Sequence, residues 1–178
     1  MEEARPCNVE PPNDGEPVLR VGIVISDDER SQVTLEIPTS GCYELITSGH
    51  RMPLEPGQVL KVSYDDKSLP WTIYAKEDVP LAPRAGVEVK DVVAGRSFHW
   101  RKNIDVTLPG NIIVERDKKE ERIILSNDVL FENYLACLIA SEMNASCPPA
   151  FVRAQAVAAR SWAFVFLRNK HPNEPFDV

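Results

Sequence analysis

The chain has 178 residues, enough for one ordinary domain or for a small module plus part of another. Its hydrophobic content of 43% and charged content of 26% are typical of globular proteins. A net charge of −7 argues against a nucleic-acid binder, which would normally present a basic face, and more weakly against an anionic membrane partner. We therefore expect no nucleic-acid partner.

Neither a membrane span nor an export signal is predicted. Apolar runs stay well short of the ~20 residues that cross a bilayer. The first 17 residues are acidic and rich in proline, the opposite of a signal peptide's basic and then apolar order. Because they offer little to bury, we predict that residues 1–17 form a disordered leader.

The next eighty residues are predicted to form a small β-rich module. The stretch VLRVGIVIS alternates apolar and other residues, and QVTLEIP, CYELI, QVLKVSY and WTIYA continue in short β-prone runs. Turn signals such as Ser-Gly, Pro-Gly and Asp-Asp separate them. The spacing favours a sandwich or barrel.

A second β group follows, and then the period changes. SFHW, IDVTL, NIIVERD and ERIILSN read as strands, and turns at Pro109–Asn111 and Asp117–Glu121 predict hairpins. From Asp128 the apolar spacing is helical, with Asn127 or Asp128 as the predicted N-cap. Pro148-Pro149 predicts the start of a second helix, which runs to about Lys170. The order predicts an α+β fold: a small β-rich module, then β hairpins, then a packed helix pair.

Glu142 is the principal candidate for chemistry. It lies four residues after Leu138 and three after Ile139, so it continues the buried stripe if the first helix persists. Burial makes a charged carboxylate costly and favours the protonated form that a general acid needs. In the alternative interpretation, the helix ends near Ala140 and Glu142 only caps it or pairs at the surface.

Two polar residues of the second helix are candidate partners. Gln155 and Arg160 lie among residues suited to burial, and the alanines between them would let a neighbouring backbone approach closely. Both side chains could converge on Glu142, either as a functional site or as a buried ion pair that joins two helices.

Other candidates are weaker. The histidines His50, His99 and His171 are scattered, the four cysteines show no metal-ligand spacing, and Asp27-Asp28 and Asp65-Asp66 are ordinary turn acids. We therefore predict no metal and no cofactor. Five aromatic residues could stack on sugar rings or pack in a core: Tyr64, Trp71, Tyr74, Phe98 and Trp100.

Between Tyr134 and Ala163 the sequence resembles the stage II sporulation protein D (SpoIID/LytB) family, whose signature contains S-E-M and A-Q-A-V-A-A-R. Positions that match the family's signature are Asn127, Glu132, Tyr134, Leu135, Ser141, Glu142, Met143, Ser146, Pro148, the run Ala154–Arg160 and Ala163. Arg153 stands for lysine, and Ser161-Trp162 for Thr-Tyr. The signature departs at Asn144, where the family has proline, and at Cys147, where it has tryptophan.

The resemblance implies a lytic transglycosylase that cleaves peptidoglycan glycan strands, preferably strands that a partner amidase has stripped of stem peptides. It places Glu142 on the catalytic glutamate and Gln155 and Arg160 on active-site helix positions. It also implies an extracytoplasmic location in the cell envelope, with a role in sporulation or cell division. The alternatives are a non-catalytic cell-wall-binding or scaffold protein of the same fold, an inactive fragment, and a cytoplasmic interaction module.

The expected domains are the leader 1–17, the β-rich module 18–95 and a SpoIID-like catalytic domain 96–178. The family domain continues past a segment like residues 171–178, so we expect the last domain to be incomplete at its C-terminus.

Overall fold

The structure, a computed structural model, describes residues 15–76, 85–117, 120–144, 146–171 and 173–178, without the side chains of residues 166–170. Most of the predicted leader 1–17 therefore lies outside the described residues. Ten strands and two α-helices are formed by the described residues. The strands are β1 Val18–Val24, β2 Gln32–Glu36, β3 Tyr43–Thr47, β4 His50–Leu54, β5 Val59–Ser63, β6 Trp71–Ala75, β7 Val87–Ala94, β8 Lys102–Leu108, β9 Asn111–Arg116 and β10 Ile123–Leu130. The helices are α1 Phe131–Glu142 and α2 Pro149–Lys170.

The strands form two sheets, and with the helices they confirm the predicted α+β fold. One sheet has the order β1-β10-β9-β6-β3-β4, and the other β5-β2-β7-β8. Alternating apolar side chains of both sheets enclose one core, in which Leu35, Val62, Ile73, Val89 and Val114 are fully buried. Because every second side chain of a strand enters the core, apolar residues alternate along the sequence, and this alternation predicts the strands.

One of the two predicted hairpins forms. Strands β9 and β10 pair antiparallel across the charged turn. At Pro109-Gly110 the chain instead passes from one sheet to the other, because β8 pairs with β7. Gly110 has a φ of +79°, and a Cβ there would come within 2.2 Å of the Asp128 carbonyl oxygen, so this crossing needs glycine.

Two strands, β4 and β7, were missed. β4 lies at the edge of its sheet, where Pro53 is tolerated, and its sequence HRMPL does not alternate. β7 is irregular at a bulge between Val89 and Val92, where Asp91 has a φ of +57°. The predicted strand SFHW is wrong. It is a turn, in which the Phe98 amide donates to the Gly95 carbonyl at 3.0 Å.

The first helix begins later than predicted. Asn127 and Asp128 still belong to β10, and Leu130 occupies the N-cap position without a capping side chain. The buried Asn127 amide donates instead to the Pro109 and Asn111 carbonyls at 2.6 and 3.1 Å. The first amides of α1 find other acceptors: the Phe131 amide donates to the Pro17 carbonyl at 2.9 Å, and the Glu132 amide to the Glu16 carboxylate at 2.7 Å.

The chain divides into two compact units. The first is Gly22–Asp128, and the second joins Met1–Val21, described from residue 15 onward, to Val129–Val178. These limits differ from the predicted boundary at residue 95 because β8 and β9 pair with β7 and β6. The division into a β-rich module 18–95 and a family domain 96–178 remains a prediction about family and function.

Candidate functional site

The helix pair α1–α2 positions the candidate site. The second helix starts at Pro149, as predicted, because the missing proline N–H has no intrahelical partner there anyway. The two helices enclose a small apolar cluster of Phe131 and Leu135 from α1 with Ala159 and Ala163 from α2. The small alanine side chains allow close approach of the helices, and the end of α1 consequently faces the start of α2.

Glu142 is the last residue of α1, so the helix continues past Ala140, where the alternative interpretation ended it. The expectation that Glu142 is buried is wrong, because its side chain is exposed. The cause is its position at the helix end, beyond the apolar cluster at Phe131 and Leu135. The carboxyl group of Glu142 therefore lacks the buried, desolvated surroundings that we expected from the sequence.

Gln155 meets Glu142. Its Nε2 donates a hydrogen bond to Oε2 of Glu142 at 2.8 Å. On α2, Gln155 precedes Ala159 and Ala163 at intervals of four residues, which places all three on the helix face towards α1. The contact fixes one carboxylate oxygen of Glu142 at the junction of the two helices.

Arg160 does not meet Glu142. Its Nε and Nη2 donate to the two carboxylate oxygens of Glu132, at 3.1 and 2.5 Å. This hydrogen bond raises the pKa of Arg160 further above its already high ordinary value. Both side chains are about half exposed, so the pair joins the start of α1 to the middle of α2 at the surface. The expected convergence of Arg160 on Glu142 is not observed.

Tyr134 is a member of the site that sequence reasoning passed over. It is partly buried against the apolar cluster, and burial raises the pKa of its hydroxyl, with a smaller contribution from the negative charge of Glu142. The signal was present, because Tyr134, Leu138 and Glu142 follow one another at intervals of four residues on a single helix face.

The outer face of α2 differs from the expectation. The residues around Gln155 and Arg160 were expected to suit burial, yet two of them, Val157 and Trp162, are 61% and 43% exposed. Val157 lies on the opposite side of α2 from Ala159 and Ala163, whose row contacts α1. Phe151, Phe164 and Val165 are likewise more than half exposed.

The remaining candidates do not gather into a site. Asp28 is a buried partner of Arg96 rather than a solvated turn acid, whereas Asp27 and Asp65 are exposed. The ring of His171 lies 5.2 Å from that of Phe176, centroid to centroid. Across the described ranges, no group of three or more His, Cys, Asp or Glu side chains could hold a metal ion.

The helices described here include none long and apolar enough to cross a membrane. Of the cysteines, Cys42 and Cys137 are exposed and Cys147 is partly buried, all as free thiols; Cys7 lies outside the described residues.

A protein-family model matches the last third of the chain. Residues 119–178 are similar to the SpoIID family, described as stage II sporulation protein. This range contains β10, both helices and the contact between Glu142 and Gln155. Neither the curated proteins nor the solved structures contain a match to the chain.

Proposed function

We propose that the protein is a peptidoglycan lytic transglycosylase with Glu142 as its general acid and base, on the premise that residues 119–178 are similar to the SpoIID family. This similarity supports a sporulation-related cell-wall protein. The finer proposal, a cleavage reaction at Glu142, is supported by the chemistry of the residues that surround this carboxylate.

The observation that carries the proposal is the 2.8 Å hydrogen bond from Gln155 to Oε2 of Glu142. An acid–base residue has to be held in one orientation relative to the bond that it cleaves. The neutral amide of Gln155 orients the carboxyl group without adding a charge beside it. Exposure of Glu142 leaves the group accessible to a long polymeric substrate.

One carboxyl group is sufficient for this reaction. The protonated Glu142 gives its proton to the glycosidic oxygen as the bond to the muramic acid C1 breaks. The resulting carboxylate then accepts the proton of the muramic acid 6-hydroxyl, whose oxygen bonds to C1 and closes a 1,6-anhydro ring. Because the nucleophile is part of the substrate, no second carboxylate is needed, unlike in ordinary glycosidases.

The proposed substrate is a glycan strand without stem peptides, supplied by an amidase that removes them, and the proposed location is extracytoplasmic, in the cell envelope. Gln155 and Arg160 are proposed to contact the strand. Arg160 would act from its position beside Glu132, as its guanidinium remains 44% exposed there.

Digestion of peptide-free glycan strands tests the proposal. We expect 1,6-anhydromuramyl ends from the protein, and a rate roughly 10²- to 10⁴-fold lower from the Glu142→Gln variant, since that is the usual contribution of a general acid–base group. The matched control is Glu174→Gln, an exposed glutamate of the same compact unit, which should cleave at the original rate. Equal rates for Glu142→Gln and Glu174→Gln would exclude Glu142 as the acid.

A second candidate function is a non-catalytic cell-wall-binding protein of the same fold. The exposure of Glu142 favours it, because the structure does not provide the buried setting expected of a general acid. Binding of glycan strands without any anhydro product, from the protein and from Glu142→Gln alike, would establish this function instead.

A further inference from the structure

The turn between β7 and β8 exposes two aromatic side chains, Phe98 and Trp100, which we call the aromatic pair. Phe98 is 62% exposed and Trp100 is 51% exposed. Their rings are stacked, with centroids 5.5 Å apart and planes inclined by 20°. Of the two interpretations that the sequence left open, core packing is therefore wrong for these two residues. Adjacent exposed aromatic rings are typical of a binding surface.

The backbone of the turn is shaped to hold this pair. Gly95 has a φ of +69°, and a Cβ there would come within 2.5 Å of the Trp100 ring. Glycine thus allows the indole to lie against the backbone. At the base of the turn, the Arg96 guanidinium donates to both carboxylate oxygens of the buried Asp28, at 2.7 and 2.6 Å, and to the Ile23 carbonyl at 2.7 Å. This bidentate contact anchors the turn to its own compact unit.

The other aromatic candidates of this unit are engaged elsewhere. Tyr64 and Trp71 pack against the core, and the Trp71 indole N–H donates to the Ser68 hydroxyl at 2.7 Å. The Arg51 guanidinium lies over the ring of Tyr74, 5.2 Å from its centroid. Among the five aromatic residues that we singled out, the aromatic pair is the one that presents accessible stacked rings.

Two exposed cations follow the aromatic pair in the chain. The segment 96–102, RSFHWRK, contains no acid, and besides Arg96, which is paired with Asp28, it contains two cations within a chain of net charge −7. Arg101 and Lys102 follow Trp100 directly, and both are exposed. Flat apolar rings beside exposed cations are complementary to a ligand that combines apolar ring faces with negative groups.

We propose that the aromatic pair and Arg101 and Lys102 form a binding site for a carboxylate-bearing glycan strand. The C–H face of a sugar ring would stack on the aromatic pair, while the two cations bind the muramic acid carboxylates that removal of stem peptides leaves free. The choice of this glycan rests on the function proposed above. An anionic membrane has similar chemistry, but two rings are a small anchor, and the negative net charge opposes it.

Binding of peptide-free glycan strands to the full chain tests the aromatic pair. The Glu142→Gln background is used throughout, so that cleavage does not consume the strands. We expect Phe98→Ala and Trp100→Ala each to weaken binding by roughly tenfold, as aromatic residues often do at the centre of an interface. Met52→Ala, which truncates another exposed apolar side chain of the same unit, should bind as tightly as the parent.

A second set of variants tests the contribution of Arg101 and Lys102 to binding. Arg101→Gln and Lys102→Gln should weaken binding to the muramic acid strands and leave binding to chitin oligosaccharides, which lack carboxylates, unchanged. Lys61→Gln, an exposed lysine on β5, is the matched control and should change neither. Trp100→Phe keeps a ring at this position. If this variant retains the affinity that Trp100→Ala loses, the loss in Trp100→Ala is due to the missing ring and not to unfolding.

Three results would overturn the proposal. The first is an absence of glycan binding, and the second is equal affinity for Phe98→Ala, Trp100→Ala and Met52→Ala. The third is binding to phosphatidylglycerol vesicles, rather than to glycans, that depends on the aromatic pair. The readout is affinity and not product formation, so failure here leaves the proposed cleavage intact. Conversely, failure of the Glu142 test leaves the binding result interpretable.

Discussion

The orientation of the Glu142 carboxyl group depends on one neighbouring side chain. The Gln155 amide holds Oε2 at 2.8 Å, and the other oxygen, Oε1, is the one that we assign to proton transfer. An amide donor stabilises a carboxylate and also fixes its plane, so the direction in which the proton leaves is set by α2 rather than by α1. Gln155 is therefore a positioning residue in our proposal.

Replacing Gln155 by alanine should reduce kcat more than it changes KM. Without the amide, the Glu142 side chain is free to rotate at the exposed end of α1, and we expect kcat/KM to fall by roughly 10- to 100-fold. The measurement is the rate of anhydro-end formation at several strand concentrations. Val157→Ala, an exposed position two residues along the same helix, is the control and should retain the original rate. A change confined to KM would show that Gln155 only contacts the strand and does not also orient the acid.

Arg160 has a different role because of where it lies on α2. It follows Gln155 by five residues, which is roughly 140° around a helix of 3.6 residues per turn, so the two side chains do not point in the same direction. The spacing alone therefore argues against convergence on Glu142, and Glu132 provides the partner that the structure shows. Surface pairs of this kind contribute little to stability.

At the level of elements, the two faces of α2 differ in the size of side chain that they allow. The row that contains Gln155, Ala159 and Ala163 faces α1, and Ala159 and Ala163 are 9% and 2% exposed. The opposite face exposes Val157, which is 61% exposed. Small residues are needed on the first face because the helix axes approach closely there, whereas size is unrestricted on the second.

Enlarging the inner face should destabilise the helix pair. Ala163→Leu adds three carbons beside Phe131 and Leu135, and we expect a loss of about 1–3 kcal/mol in the free energy of unfolding from overpacking. The measurement is urea unfolding followed by the helical circular dichroism signal. Ala158→Leu, at an exposed position of the same helix, is the matched control and should leave stability nearly unchanged. Equal stability of both variants would contradict the close packing of α1 and α2.

At the level of the whole molecule, ionised groups link stability to pH. Hydrogen bonds from the Ser68 side chain and backbone lower the pKa of Asp66, and a hydrogen bond from the Asp91 amide lowers the pKa of Asp105. Both groups belong to the unit Gly22–Asp128. A carboxyl group whose pKa is lower in the folded state binds protons more readily after unfolding.

We therefore expect the stability of this unit to be constant above the unfolded carboxyl pKa, about 4, and to fall as the pH is lowered through the folded pKa values. The measurement is the free energy of unfolding from urea titrations between neutral and acidic pH. Asp66→Asn should make the decline shallower, because one linked proton is removed. Asp65→Asn, an exposed neighbour in the same turn, should leave the slope unchanged. A slope that Asp66→Asn does not alter would contradict the contribution of Asp66.

Much of the fold was accessible from local patterns. Alternation identified the strands whose side chains enter the common core, such as β2 and β5, and proline chemistry identified the start of α2 at Pro149. The apolar spacing also located α1, but it left open whether the helix ends near Ala140 or reaches Glu142, and the structure shows that it reaches Glu142. These features depend on the conformational preferences of residues that are close together in the chain, so one sequence is enough to predict them.

Other features required contacts between distant parts of the chain. Asn127 looked like a helix cap, but its amide binds the Pro109 and Asn111 carbonyls, and β10 extends through it. The turn at Phe98 was predicted to be a strand because aromatic residues are common in strands. The same residue types also suit an exposed turn such as the one that holds the aromatic pair.

Tertiary packing also determined the contacts and the exposure of the residues at the candidate site. Sequence spacing identified Glu142 and Gln155 as candidates, whereas the packing of Phe131 and Leu135 on Ala159 and Ala163 brings their helix ends together. Exposure of Glu142 and the pairing of Arg160 with Glu132 follow from that packing. A periodic pattern specifies which face of a helix is buried, but the neighbouring element determines how far along the helix burial extends.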